Sequence, residues 1–313
     1  MPNFRKLSRH GRNIFVLNKR SHTTSAVFFI ILSIAASFFI FSLIKKSLNN
    51  EKREILRVWN AADYEQAFLL SKNALLQKPV DNFLLVINGF SAFQLGISQI
   101  NSQNMLSFID ECIFSLRKAL ISKGSSNNGR IYYVLGKAYG YKGNEYSDLA
   151  VKYLLMSNNL GFNAQDIPEY LGLAYAACGD YKNSVAAFSQ AFVPDRQPAD
   201  SLLLSIARSY MAMDEYNTAT GYLKQCIEIS PDSKSVVIAR LLLAEIYALT
   251  GDYVNAEELY LTILALSGEN AEVHYQLGEL YNLKGDTTRA RAEWRLAYRQ
   301  DPAHAKARTR LNI

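Results

Sequence analysis

Residues 271–302 read AEVHYQLGELYNLKGDTTRARAEWRLAYRQDP, and this stretch decides the fold. Small residues at Gly278, Ala290 and Ala297 let two helices approach closely, while His274, Leu277, Tyr281 and Trp294 fill the space between them. Between the two runs, Gly285 supplies the positive φ that ends the first helix. One such pair cannot bury its own apolar faces, so neighbouring copies must stack against it.

Upstream copies are found with the corner between the helices as ruler. It reads Gly285-Asp286-Thr287, Gly251-Asp252-Tyr253, Asp214-Glu215-Tyr216 and Gly179-Asp180-Tyr181, with an earlier form Gly143-Asn144-Glu145-Tyr146. The spacings, 34, 37, 35 and 36 residues going backwards, define five units with small insertions. Their first helices repeat Leu135, Gly136 and Tyr139; Leu171, Gly172 and Tyr175; Ile206, Ala207 and Tyr210; Leu243, Ala244 and Tyr247. The second helices bring Ala150 and Leu154; Phe188 and Ala191; Ala219, Leu223 and Cys226; Ala256 and Tyr260. Ser184 stands where a small residue is wanted. Two degenerate copies precede these, 48–81 around the corner Ala62-Asp63-Tyr64 and 82–128 around Gly89, Gly96 and Ala119. The second carries a polar insertion, ISQINSQNMLS at 97–107, read as lying between its helices.

The pattern resembles the tetratricopeptide repeat, a 34-residue pair of antiparallel helices with a Leu-Gly pair and a Tyr on the first and small and aromatic residues on the second. The resemblance covers about 48–304. It implies an all-α fold, a right-handed tetratricopeptide-repeat superhelix (α-solenoid) preceded by a single transmembrane helix. The expected divisions are a basic tail (1–24), the transmembrane helix (25–44), a charged helical stalk leading into the first degenerate repeat (45–60), degenerate repeats (61–128), five repeats (129–304) and a short C-terminal tail (305–313). In this family first-helix residues line a concave groove that binds proteins. Carried over, the candidate contacts are Phe83, Val86, Phe90 and Phe93; Tyr133 and Lys137; Glu169 and Leu173; Leu204, Arg208 and Met211; Leu241 and Glu245; Tyr275 and Glu279. Gly140 and Asp166 fall at groove positions beside them. The family's clamp for acidic chaperone tails uses Lys and Asn at set places, and this chain departs from it with Tyr133 and Lys137, Tyr170, and Ser201 and Ser205.

The transmembrane expectation rests on Ser21 to Ile44, which holds no charged residue, and on AVFFIILSIAASFFIFSLI from Ala26 to Ile44. At about 1.5 Å per residue this run roughly spans a hydrocarbon core. Lys45-Lys46 follows it in place of a small-x-small cleavage site, and no cysteine lies near, so an uncleaved anchor fits best. Arg5, Lys6, Arg9, Arg12, Lys19 and Arg20 favour a cytoplasmic N-terminus and a repeat domain outside the cytoplasm, in the periplasm or beyond.

Those six residues also account for the formal charge of +6, since the other 28 basic residues face 28 acidic ones. A nucleic-acid-binding body would gather basic residues on its folded part, so nucleic acid is not an expected partner. Cys112, Cys178 and Cys226 are too few and scattered for a disulfide framework or a zinc site, and read as small buried residues. Of four histidines, His10 and His22 lie in the tail, His274 fills a bulky packing position, and His304 stands apart. With no HExxH, CxxC, Walker or GxSxG string, no catalytic residue, metal ligand or cofactor is expected.

The remaining functional surface is the groove. The expected function is a non-enzymatic, membrane-anchored scaffold that binds partner proteins, in an envelope assembly, secretion or division complex, with the bilayer engaged through 25–44. The alternative is a transport component that carries a small apolar molecule in the groove or pore. The residues after Pro302 are fewer than a typical capping helix needs: they can form one or two turns over the last repeat, or leave its final apolar edge partly exposed to a partner or to a second copy of the chain.

Overall fold

The structure, a computed structural model, describes residues 50–121, 128–193 and 196–313. The expected tail 1–24 and transmembrane helix 25–44 lie outside these residues. Among the described residues no helix is long and apolar enough to cross a membrane. The chain divides into two units, Met1–Asp63 and Tyr64–Ile313. In the first, 50–60 are helical (α1), Ile55 and Val58 are buried, and the helix stops at Ala62, whose φ is 59°.

In the second unit every described element is helical. It opens with α2 (Tyr64–Gln77). Pairs follow: α3 (Asn82–Ile97) with α4 (Ser102–Ile121), α5 (Gly129–Lys142) with α6 (Ser147–Asn159), and α7 (Ile167–Ala177) with α8 (Tyr181–Gln190). Then come α9 (Asp200–Met211) with α10 (Tyr216–Ile229), α11 (Ser233–Leu249) with α12 (Tyr253–Ser267), and α13 (Ala271–Leu283) with α14 (Thr287–Gln300). A short helix, α15 (Ala305–Leu311), ends the chain. Each first helix packs on its own second helix and also meets the first helix of the next pair, as α3 meets α5, α5 meets α7 and α9 meets α11. First helices therefore line the inner side, and second helices cover the outside.

Within a pair, one contact sets the distance. A Cβ built on Gly136 of α5 would lie 2.6 Å from Leu154 Cγ of α6, and one on Gly172 of α7 would lie 2.5 Å from the Phe188 ring of α8. Gly89 stands in the same way against Leu116, and Gly278 against Trp294. In α9 and α11 the place is taken by Ala207 and Ala244, both fully buried. Ser184 is buried as well, and its hydroxyl donates to the Gly172 carbonyl at 2.8 Å, so the substitution for alanine adds a bond where the helices are closest.

The corner repeats as faithfully. Gly179, Gly251 and Gly285 have φ of 76°, 84° and 80°, and Asp214 takes 59° at the same place. The next residue starts the second helix: Asp180, Asp252 and Asp286 accept from the backbone N–H three residues on. That residue's own N–H donates back to the carbonyl of the repeat's tyrosine, Tyr175, Tyr210, Tyr247 or Tyr281, at 2.8–2.9 Å. This six-to-one bond satisfies a carbonyl that the helix end leaves open. Gly143 differs, with φ 139° and ψ 166°, and the extra residue in its corner forms a 3₁₀ turn, Asn144–Tyr146.

Two expectations are corrected and a third is resolved. The insertion at 97–107 is mostly helix: only 98–101 lie outside one, and α4 begins at Ser102 with Asn101 accepting from the Gln103 and Asn104 amides. Polar residues there sit on the exposed first turns of a 20-residue helix. Cys178 is exposed, whereas Cys112 and Cys226 are buried. At the last edge the short cover is the outcome found: α15 lies on α14, buries Ala307 completely and packs Leu311 against the core around Trp294.

Where α2, α3 and α4 meet, a polar group is buried with its needs met. Asn88 is fully buried and donates to Ser71 Oγ at 3.4 Å, and Ser115 Oγ donates to Asn88 Oδ1 at 2.9 Å. Such a bonded amide fixes helix register, since any slip leaves it unpaired.

Three glycines separate the terms. Replacing Gly136 with Ala should cost about 1–3 kcal/mol through overpacking against Leu154. Gly285→Ala, with open space around the new methyl but a positive φ, should cost about 1 kcal/mol. Gly140→Ala, helical and with nothing within 4 Å, should gain about 0.5–1 kcal/mol. Urea titration of the three variants checks the order; equal costs at Gly136 and Gly140 would refute the close-contact account.

Glu257 of α12 gives a pH signature. It accepts from Lys284 Nζ at 2.6 Å and from Tyr281 Oη at 2.8 Å, joining two successive pairs. The Lys284 bond, together with that from Tyr281, holds its carboxyl below the usual glutamate value against the pull of burial. A depressed carboxyl stabilises the fold above its unfolded pKa, and that contribution is lost as pH falls through the folded value. The thermal midpoint should therefore drop between neutral and strongly acid pH, and Glu257→Gln should shrink the drop. An unchanged difference would mean that these bonds contribute nothing.

Candidate functional site

The inner side carries a polar cluster where α5 faces α7. Tyr133, Lys137 and Tyr141 recur every fourth residue on α5, and Asp166 and Tyr170 answer them from the start of α7. Tyr133 Oη donates to Asp166, with Oδ2 at 2.7 Å, and Lys137 Nζ donates to the same oxygen at 2.9 Å and to Tyr133 Oη at 3.1 Å. The ammonium also lies 4.2 Å from the centre of the Tyr170 ring, 5.0 Å from that of Tyr133 and 5.8 Å from that of Phe93. Burial works against its charge, but the bonds to Tyr133 and Asp166 outweigh burial and raise its pKa. Tyr141 and Tyr170 meet at 3.3 Å between hydroxyls, and burial pushes Tyr141 up to about 12. Neither phenol is poised to lose its proton near neutrality. The cluster binds two repeats together and is satisfied internally.

Beside it an open pocket of about 520 Å³ lies between α5, α6 and α7. Gly136, Gly140, Leu154 and Ala174 form an apolar floor, and Asp166, Glu169, Tyr141 and Tyr170 stand at the walls with Leu173 and Ala177. Leu173 is 45% exposed. Asp166 is taken by Tyr133 and Lys137, whereas Glu169 has no hydrogen-bond or ion-pair partner among the described residues. A second, smaller recess of about 240 Å³ gathers Arg208, Leu241, Glu245 and Glu272 from α9, α11 and α13. Burial in that recess raises the Glu245 carboxyl, opposed by Lys306 and reinforced by Glu272.

The other expected groove residues are placed differently. Phe90 and Phe93 are 6% and 3% exposed, so these rings are core; Arg130 covers Phe90 with its guanidinium 5.1 Å from the ring centre. Phe83 and Val86 are half-buried, Met211 likewise, and Leu204 is buried. Tyr275 and Glu279 face the chain's own last helix. His304, which caps α15, has its ring centre 5.1 Å from that of Tyr275 with the planes tilted by 37°, and Arg310 donates to both oxygens of Glu279 at 2.8 and 2.5 Å. His304 accepts the Ala307 amide at Nδ1, which leaves the proton on Nε2 to be donated to Glu272 at 3.1 Å. The expected residues thus separate into core (Phe90, Phe93, Leu204), cis-occupied (Tyr275, Glu279) and open (Glu169, Leu173, Arg208, Glu245). Tyr141 and Tyr170 were not among the expected contacts; their four-residue spacing from Lys137 and Asp166 was the signal that marks them.

No group of His, Cys, Asp and Glu among the described residues has the arrangement to hold a metal ion. The inner side offers surfaces and single charges, which suit binding by contact.

Two family models, each described as a tetratricopeptide repeat, match residues 201–233 and 239–272. No curated protein matches the chain. Among solved structures it is similar to the C-terminal part of a tetratricopeptide repeat-containing protein from Cytophaga hutchinsonii, at 15% identity over 82% of this chain and 97% of that one, with a TM-score of 0.56. It is also similar to PilW, a type IV pilus biogenesis factor, at 17% identity over 71% of this chain and 98% of that one, again with a TM-score of 0.56. At these identities the likeness is one of fold. Family match, corner geometry and the buried small residues Ala207 and Ala244 agree that residues 201–233 and 239–272 are tetratricopeptide repeats, within an α-solenoid of the same architecture.

Proposed function

We propose that the chain is a non-enzymatic scaffold, tethered to a membrane by residues 25–44, which holds partner proteins on the inner side of its first helices. On this reading the N-terminal tail is cytoplasmic and the repeats stand outside the cytoplasm, in an envelope assembly, secretion or division complex. The observation that carries it is the open pocket between α5 and α7, where an apolar floor, exposed Leu173 and uncompensated Glu169 sit on the side that the repeat architecture leaves free. An apolar recess edged by a few convergent polar groups is a surface for recognition. The tether is supported by the uncharged run from Ser21 to Ile44 and by the six basic residues before it.

Photocrosslinking amino acids placed at Leu173 and Arg208, with exposed Lys224 on α10 as outer-side control, test the scaffold in the native cell. Discrete protein adducts from the inner positions and none from Lys224 are the expected result. Adducts only to small apolar molecules would replace the scaffold by a carrier, and no inner-specific adduct would refute both. Protease added to spheroplasts should digest the repeats; protection of that domain would reverse the proposed topology.

A further inference from the structure

The repeats already show how they receive cations. Lys137 rests over the Tyr170 ring and bonds to Asp166. Arg310 lies 5.4 Å from the Trp294 ring centre and bonds to both oxygens of Glu279. In each case a basic side chain lands on an aromatic ring beside a carboxylate, with charge, ring face and hydrogen bond acting together.

The pocket between α5 and α7 adds a second carboxylate to this arrangement: Lys137 stands at its edge and is bonded to Asp166, which leaves Glu169 without a cation of its own among the described residues. Tyr141 and Tyr170 supply aromatic walls, and Glu169 supplies a carboxylate that no described residue compensates. Gly140 keeps the space clear, since a Cβ there would meet nothing within 4 Å. The absence of a side chain at an inner-side helical position costs helix stability, and here it leaves room. The volume of about 520 Å³ exceeds what one basic side chain fills, so the residues flanking it can rest on Leu173 and the apolar floor.

We infer that this pocket takes a lysine or arginine side chain from an apolar segment of a partner protein, with Glu169 as counter-charge and the Tyr141 and Tyr170 rings as walls. The inference rests on the scaffold reading and names the chemistry of the partner. Acidic segments are disfavoured by the same geometry, because they would bring a second carboxylate against Glu169.

The test pans the full-length chain against a random dodecapeptide library displayed on phage, then measures resynthesised peptides by fluorescence anisotropy. Enriched peptides should carry Lys or Arg beside apolar residues. Binding should weaken about tenfold or more with Glu169→Gln, and similarly with Gly140→Leu, which fills the pocket. Glu169→Lys should recover binding of the peptide whose basic residue is replaced by Glu. Gly140→Ala, with thermal unfolding of every variant, separates occlusion from misfolding. Acidic or wholly apolar consensus sequences, basic peptides indifferent to Glu169→Gln, or no enrichment would each overturn the inference. Protein crosslinks from Arg208 in the cell together with any of those results would sink the pocket assignment and leave the scaffold standing; no crosslinks would sink the scaffold itself.

Discussion

A hydrogen atom in place of a side chain holds this molecule together. At Gly89, Gly136, Gly172 and Gly278 the first helix of a pair comes so near the second that Leu116, Leu154, Phe188 or Trp294 occupies the space a methyl would need. Dispersion falls off steeply with distance, so this closeness turns two amphipathic helices into one packed unit. The rest follows from that spacing. The paired helices present a ridge of apolar residues that must be buried by the next pair, and the stack extends because each addition solves one unit's exposure and creates another.

Corner chemistry makes the pairing local. A left-handed residue, an aspartate that caps the helix it begins, and an amide that returns to a tyrosine carbonyl reverse the chain within three residues. Asp214 takes the left-handed place without being glycine, and its carboxylate accepts the Tyr216 hydroxyl at 2.7 Å. Aspartate tolerates that region better than most residues, because its short side chain bonds nearby groups.

These two devices are also what made the architecture readable. Gly-Asp corners and Leu-Gly-Tyr spacings depend on residue identity at fixed places, so a string of letters reveals them. Elements governed by exposure were harder. The first turns of α4 are Ser, Gln and Asn, residues that mark a loop as readily as a solvated helix start, and only the position of α3 shows which they are. Phe90 and Phe93 hold groove positions by count, yet α3 has a core on more than one side, and periodicity alone cannot say which neighbour covers a ring. The pocket was half legible: Glu169 and Leu173 were named from repeat position, whereas the role of Gly140 depends on the empty space above it. Tyr275 and Glu279 were expected to be open because α15 is seven residues long with three basic side chains, which gives little sign of a docked element.

That helix has a further consequence. α15 stands to α13 much as α7 stands to α5: its capping residue meets the fifth residue of the preceding first helix, as Asp166 meets Tyr133, and Arg310 engages the ninth, as Asp166 engages Lys137. It is half a repeat, seated where a further one would begin. By seating seven residues of its own there, the chain meets with its own side chains two inner-side positions, Tyr275 and Glu279, that in the other pairs are met by the following repeat.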